Sequence, residues 1–311
     1  MYFVVNPAAG RGRGRKTLDR LQPLLRPDDT VAVSEGPGHC QRLAAEAATQ
    51  HPAVTVVGGD GTVCEVINGI AEAGFTAALG ILPVGTPNDL ASGLSIPRDF
   101  DRALAIVRAG NVHPVDLGLI VRGPPKAERY FVTTVGAGIN ALIASQAQAE
   151  TDKAVGSPIV YIGAAARMIL RYSPVPVEIE AGEFALRGPI LMMSVSNVAK
   201  EGGLFWLAPK ARPDDGFLHL LIWSDVPLWL RQASREARIP CREPRQVAGR
   251  VPLLGAFHEC RPVRRLQNAF RTGVEHGLLT EHVRSCVPHV GLQLFRESLA
   301  RATAQLGRRR A

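Results

Sequence analysis

The sequence predicts an α/β N-terminal domain built on a parallel sheet, followed by a second, β-rich domain. Three observations predict it. Short apolar strands alternate with helical stretches over residues 1–118. Those strands run straight into glycine- or proline-bearing loops. From about residue 119 the helical stretches thin out, and strand-like runs separated by Gly/Pro turns replace them.

The elements follow in order. Tyr2-Phe3-Val4-Val5 is an apolar run closed by Asn6-Pro7, and Val31-Ala32-Val33 is a second. Leu43 to Thr49 is alanine-rich and helical, and Val54-Thr55-Val56-Val57 is β-branched and stops at Gly58-Gly59. Glu65 to Ala73 reads as a helix, Leu79-Gly80-Ile81-Leu82 as a strand and Phe100 to Arg108 as another helix. Continuous apolar strands between helices belong to a parallel sheet covered on both faces. Beyond them, Tyr130 to Val135, Val177 to Glu180, Pro189 to Val195 and Phe217 to Ile222 read as strands, with one helix expected over Val160 to Arg171. An exposed linker is expected at Arg122 to Lys126. The chain divides into 1–120, 121–225 and 226–311, the last being an atypical basic segment read as divergent or poorly ordered.

Charge supports that division. The 311 residues carry a net +8, yet residues 1–224 hold 20 Lys and Arg against 21 Asp and Glu. Residues 225–311 hold 16 Arg, no Lys and 7 acids. The excess therefore says nothing about the first two thirds, and an arginine-rich surface is the plain reading of the tail, so no nucleic-acid partner is expected. No apolar run has the length needed to span a bilayer. The N-terminus has neither a basic n-region nor a long apolar core, so a cytoplasmic chain touching membranes only at their surface is expected. Cys40, Cys64, Cys241, Cys260 and Cys286 form no CxxC pair and fit no zinc spacing, even with His258, His276, His282 and His289 nearby. Reduced, structurally neutral thiols are expected.

The chemistry concentrates in loops that follow strands. Gly58-Gly59-Asp60-Gly61-Thr62 lies between a β-branched strand and a helix, where glycine backbone and a helix N-terminus suit an anion. Its aspartate cannot hold phosphate, and Mg²⁺ or a hydrogen-bond network is its natural partner. Pro83-Val84-Gly85-Thr86-Pro87-Asn88-Asp89 opens at the same sheet edge with a second glycine loop and a second carboxylate. Asn6-Pro7-Ala8-Ala9-Gly10 follows the first strand, with Arg11, Arg13, Arg15 and Lys16 beyond it. Asp116, in Val115-Asp116-Leu117-Gly118, ends another apolar stretch. Three loops and three isolated carboxylates at one edge are what a nucleotide with Mg²⁺ requires. The run Gly10 to Thr17 satisfies neither the P-loop pattern nor GxGxxG, because Arg15 stands where the P-loop needs glycine.

NPAAG, GGDGT followed by EVINGI, LPVGTPNDLA and the later GGLFWLAPKARPDDGFL together resemble the diacylglycerol kinase catalytic family, over residues 2 to about 223. The resemblance implies an N-terminal α/β domain like that of NAD kinase and phosphofructokinase, a β-sandwich domain after it, and a cleft between them. It implies ATP- and Mg²⁺-dependent phosphorylation of a lipid hydroxyl, most naturally diacylglycerol to phosphatidic acid, at a membrane surface. It makes Asn6, Pro7, Gly10, Ser34, Gly58, Gly59, Asp60, Gly61, Thr62, Gly85, Thr86 and Asn88 nucleotide contacts, and Asp60, Asp89 and Asp116 the carboxylates that order Mg²⁺ and water. Asp215 becomes a ligand of a separate structural Mg²⁺, with backbone carbonyls near Arg212 and Phe217. A homodimer is implied by the bacterial relatives.

The sequence departs from the family twice. Cys64 stands where the family has asparagine. The family's general base lies in a late Asp-Gly-Glu segment, and no aspartate follows Asp225; Thr272-Gly273-Val274-Glu275 is the nearest remnant, which makes Glu275 the candidate base. Two other readings stay open: a nucleotide- and lipid-binding pseudokinase, and an NAD kinase, against which GTPND and the DDG segment argue.

Overall fold

The computed structural model describes residues 1–122, 127–143, 172–181, 184–203, 205–224, 234–240 and 250–254. The linker expected at 122–126 (beyond Arg122), the helix expected over 160–171 and the candidate base Glu275 lie outside these residues.

The first layer is a six-stranded sheet in the order β2-β1-β3-β4-β13-β5. Its strands are β1 (Tyr2–Val5), β2 (Thr30–Val33), β3 (Ala53–Gly58), β4 (Ala78–Pro83), β5 (Val112–Asp116) and β13 (Arg250–Leu254). Strands β2, β1, β3 and β4 run parallel, as the apolar runs predict. Helices α1 (Ala9–Leu21), α2 (His39–Ala48), α3 (Asp60–Glu72), α4 (Asp89–Gly93) and α5 (Phe100–Ala109) fill the connections. The core is aliphatic: Phe3, Val4, Val54, Val56, Ile67, Ile70, Ile81 and Leu82 are buried, along with Ala44 and Ala103, whose small side chains let helices sit close to strands.

The second layer is antiparallel, in the order β12-β11-β10-β8 with β9 also on β10. It uses β8 (Thr134–Gly138), β9 (Val175–Ala181), β10 (Phe184–Ser196), β11 (Phe217–Ser224) and β12 (Ser234–Pro240) around Ile190, Met193, Val195, Leu220 and Ile222. A separate hairpin, β6 (Gly118–Arg122) with β7 (Ala127–Phe131), lies between the two layers in sequence.

Three details differ from the sequence reading. Helix α3 starts at Asp60 rather than Glu65, so Asp60-Gly61-Thr62 of the glycine loop lies in the first helical turn, with Gly59 as its N-cap. The run Tyr130 to Val135 is not one strand. It breaks at Val132 and Thr133, whose carbonyls accept from the Asn197 side chain and backbone, and continues in another sheet. Residues 226–311, in which strand alternation is not legible, supply β12 and β13. Strand β13 pairs with β4 in parallel and with β5 antiparallel, so residues 250–254 complete the N-terminal sheet.

Candidate active site

The strand order 2-1-3-4 reverses direction between β1 and β3, and in open α/β sheets ligands bind beyond the carboxyl ends of the strands at such a point. The loops leaving β1 and β3 meet there: Asn6 Nδ2 donates to Thr62 Oγ1 at 2.9 Å, while Asn6 Oδ1 accepts from the Ala8 N–H at 3.0 Å. The loop after β4 joins them. A Cβ on Gly59 would come within 2.8 Å of Gly85 Cα, and one on Gly10 within 2.2 Å of the Val84 carbonyl. Glycine is therefore required by close approach at these positions. Arg13 reaches across, donating to the Gly85 carbonyl at 3.1 Å. Residues Gly10, Arg11 and Gly12 are all left-handed, with φ of 60°, 61° and 84°, so the first loop bends sharply before α1 becomes regular.

The carboxylates are held by backbone. Asp60 lies in the first turn of α3 and accepts from the N–H groups of Asp89 at 3.0 Å and Leu90 at 3.2 Å. It thereby caps the short helix α4, whose first residue is Asp89. Burial pushes the Asp60 carboxyl up, against these hydrogen bonds. Asp89 accepts from the Gly203 N–H of the second layer at 2.9 Å, and burial, then the neighbouring Asp60 charge, push it up to about 6. Glu201 is pushed up to about 7, by burial first and then by Asp89; its buried Oε2 has no hydrogen-bond partner among the described residues.

Asp116 is fully buried at the junction of the layers. Its Oδ2 accepts from the Gly216 N–H at 2.6 Å, its N–H donates to the Pro213 carbonyl at 2.7 Å, and its carbonyl accepts from Asn197 Nδ2 at 2.7 Å. Asp116 is thus a joint between layers, connected to the turn that carries Asp215. The Asp215 carboxylate accepts from the Phe217 N–H at 3.1 Å and pairs with Arg238 Nη2 at 2.7 Å. The Arg238 guanidinium also lies 4.2 Å from the Phe217 ring centroid, and the Arg212 side chain turns to Asp214 rather than Asp215. With a guanidinium already matching its charge, Asp215 in this arrangement does not fit a metal.

The folded chain therefore brings together Asn6, Pro7, Gly10, Gly58, Gly59, Asp60, Gly61, Thr62, Gly85, Thr86, Asn88 and Asp89. Ser34 follows β2, buried, its N–H on the Val5 carbonyl at 2.8 Å. Asn88 is left-handed, with φ of 50°, and its Nδ2 donates to the Gly85 carbonyl at 2.7 Å. The Thr86 carbonyl accepts from Arg98 at 3.0 Å. Cys64 directs its sulfur at the Tyr130 carbonyl, 3.5 Å away, and burial pushes its thiol up. Sequence reasoning missed Glu201, Asn197 and Lys200, whose charge acts against the upward push on Asp89. Glu201 directly precedes Gly202-Gly203, and its spacing from Asp89 carries no signal, because only tertiary folding brings the two together. Among the described residues, no three His, Cys, Asp or Glu side chains are grouped to hold a metal by themselves. Asp60 and Asp89 suit Mg²⁺ only in company with phosphate oxygens, which is how proteins ordinarily hold it.

Comparison with known proteins fits this geometry. Residues 1–120 match the diacylglycerol kinase catalytic domain model, and residues 133–230 match that of the YegS C-terminal NAD kinase beta sandwich-like domain. A diacylglycerol kinase of Staphylococcus saprophyticus is 30% identical over 224 residues, which is 71% of each chain. One of Staphylococcus carnosus is 32% identical over 228 residues, again 71% of each chain. The crystal structure of a diacylglycerol kinase from Bacillus anthracis str. Sterne superposes with a TM-score of 0.56 at 27% identity, covering 71% of this chain and 72% of that one.

Proposed function

Because the chain belongs to the diacylglycerol kinase catalytic family, we propose that it transfers the γ-phosphoryl group of ATP to a lipid hydroxyl, with diacylglycerol as the acceptor. The observation that carries this reading is the Asp60–Asp89 pair, buried beside three converging glycine loops and held by backbone N–H groups, with the Lys200 charge acting on Asp89 against its burial. The loops at Asn6 to Gly10, Gly58 to Thr62 and Gly85 to Asn88 offer backbone N–H groups and the N-terminus of α3 to the nucleotide phosphates, with Ser34 at the edge. Asp60 and Asp89 would hold Mg²⁺ together with those phosphates; the ion, when bound, neutralises charge developing on the transferred group.

This chain's own residues supply positioning. Asp60 fixes α4, and with it the direction of the Asp89 carboxylate; Gly203 holds the other side of that carboxylate. Asp116 ties the acceptor-side layer to the nucleotide-side layer. Proton removal from the acceptor hydroxyl needs a base, and Glu275 is the candidate from the sequence. Asp89 and Glu201 are the carboxylates at the site with pKa values near neutrality.

Phosphate transfer from labelled ATP to dioleoylglycerol in mixed micelles tests the reading, with Asp60→Ala as control. Incorporation that disappears in the variant supports a lipid kinase. ATP binding without incorporation favours the second reading, a pseudokinase that binds nucleotide and lipid, for which the missing Asp-Gly-Glu segment is the specific observation. Transfer to NAD in place of the lipid would make the chain an NAD kinase.

A further inference from the structure

Large apolar side chains exposed to solvent are few among the described residues, and two of them are adjacent. Phe205 is 40% exposed and Trp206 60%, while Leu24, Val33 and Val112 are scattered singly over other elements. Isolated exposed aliphatics are ordinary; two neighbouring aromatic rings held outward are not.

The backbone explains why they stay outward. Glu201 and Phe205 exchange two hydrogen bonds, N–H to carbonyl, at 2.8 and 3.1 Å, and the Ala208 N–H donates to the Ala199 carbonyl at 3.3 Å. Gly202 and Gly203 turn the chain with φ of 64° and 77°. Ala208 is buried, so the base of this turn is anchored while its aromatic tip is not. The same turn belongs to the site rim: the Gly203 N–H is the group that holds Asp89 at 2.9 Å, and a Cβ on Gly203 would touch Pro87 at 3.4 Å. Lys200 completes the patch, its Nζ lying 4.3 Å from the Trp206 ring centroid.

We propose that the turn carrying Lys200, Phe205 and Trp206 is a membrane-docking element, inserting its two rings at the headgroup level of a bilayer that contains anionic phospholipid. Tryptophan is suited to that depth because its ring is apolar while its N–H stays wet. The Lys200 ammonium, beside the ring, matches the phosphate charge of the same surface. Continuity with the site selects this occupant: the turn that holds Asp89 through the Gly203 N–H also carries the rings, so a bilayer seated on them lies next to that carboxylate. The inference rests on the lipid-kinase reading for its purpose, though not for its test.

The experiment compares the full chain with Phe205→Ser/Trp206→Ser on phosphatidylcholine vesicles with and without phosphatidylglycerol. Co-sedimentation and quenching of tryptophan emission by brominated phosphatidylcholine are the readouts. The double variant is expected to lose vesicle partitioning by about tenfold or more, together with the quenching. Its turnover of soluble dihexanoylglycerol is expected to equal that of the parent. Lys200→Gln is expected to weaken binding to anionic vesicles by about fivefold and to leave binding to neutral ones unchanged. Parent protein that ignores vesicles, or a double variant that binds them as the parent does, overturns the proposal. So does a parent that self-associates without lipid, with the double variant monomeric yet still vesicle-bound, since the patch is then a contact between copies. Lost vesicle binding in a protein that phosphorylates neither acceptor keeps the docking element and removes the kinase reading.

Discussion

Asp60 with Asp89 and Asp214 with Asp215 are both acidic pairs at chain turns, yet they are treated in opposite ways. Asp214 and Asp215 each face an arginine, Arg212 and Arg238, in partly exposed pairs at 3.2 and 2.7 Å. Asp60 and Asp89 are buried, are held by backbone N–H groups, and have their carboxyls pushed up, Asp89 partly by the charge of Asp60. A pair already matched by guanidinium has little left to attract. A pair that is fixed in place and only partly offset, by the Lys200 charge acting on Asp89, attracts a cation or a cation-bearing ligand, and such charge is where perturbed pKa values and function coincide. The DDG turn thus closes on arginine and clasps its own strands, whereas the GGDG–PND pair is the reactive centre that we propose.

The comparison is broken most directly at Asp60. Asp60→Asn keeps the size of the side chain and removes the charge, and it leaves one of the two α4 N–H groups facing an amide donor in place of a carboxylate oxygen. Phosphoryl transfer is expected to fall by about 10²–10³-fold, the scale of losing one preorganised electrostatic group. An Asp60→Asn protein that turns over at the parent rate with dioleoylglycerol would put the reactive centre elsewhere.

Asn197 tests the link between the two regions. It is fully buried, and its Nδ2 donates to the Asp116 carbonyl at 2.7 Å and to the Val132 carbonyl at 3.0 Å. Asn197→Ala leaves both acceptors without this donor and is expected to cost about 2–3 kcal/mol in urea unfolding. A loss within experimental error would mean that the layers are joined by other contacts.

The reactive centre also leaves a pH signature. Asp89 and Glu201 have folded-state pKa values of about 6 and about 7, above their ordinary 3.8 and 4.5. Between about pH 4 and pH 7 the folded state therefore holds more protons than the unfolded one, and stability falls as pH rises through that window. Without nucleotide or Mg²⁺, thermal midpoints are expected to be lower at pH 8 than at pH 5. Glu201→Gln should flatten this slope and stabilise the protein at pH 8 by about 2 kcal/mol. A slope unchanged by the substitution would remove Glu201 from the centre.

The smallest effect is expected at the clasp. Arg238 is 48% exposed, and Arg238→Met should cost less than about 1 kcal/mol, as exposed ion pairs do. Its sharper readout is cation dependence: with the guanidinium gone, Asp215 is short of positive charge in its turn, and Mg²⁺ should raise the thermal midpoint of the variant more than that of the parent. Equal responses would show that Asp215 does not discriminate between the two cations.

Much of this was legible in the sequence for physical reasons. A β-branched run such as Val54 to Val57 must bury both faces, and Gly58-Gly59 after it must turn, so the strand, the loop and the placement of Asp60 follow from local chemistry. The three loops at one edge follow from the strand–helix alternation that makes a parallel sheet. Helix boundaries were less legible: α3 begins inside the glycine motif, where the Val63 N–H donates to the Gly59 carbonyl and the Asp60 side chain accepts from a segment 29 and 30 residues away, which no local pattern announces. Glu201 lay hidden for the same reason, being a lone carboxylate until folding sets it beside Asp89.

By itself, then, the sequence determined the parallel sheet, the order of the glycine loops and the carboxylates they carry, since period, propensity and turn chemistry are local properties of the chain. Only the tertiary structure decided which charges are compensated. Arg238 reaches Asp215 because β12 pairs antiparallel with β11, setting Arg238 opposite His219, and β13 enters the first sheet from the far end of the chain between β4 and β5. Pairing between distant segments depends on which strand edges remain open once the rest has folded, and that is a property of the whole molecule rather than of any stretch of its sequence.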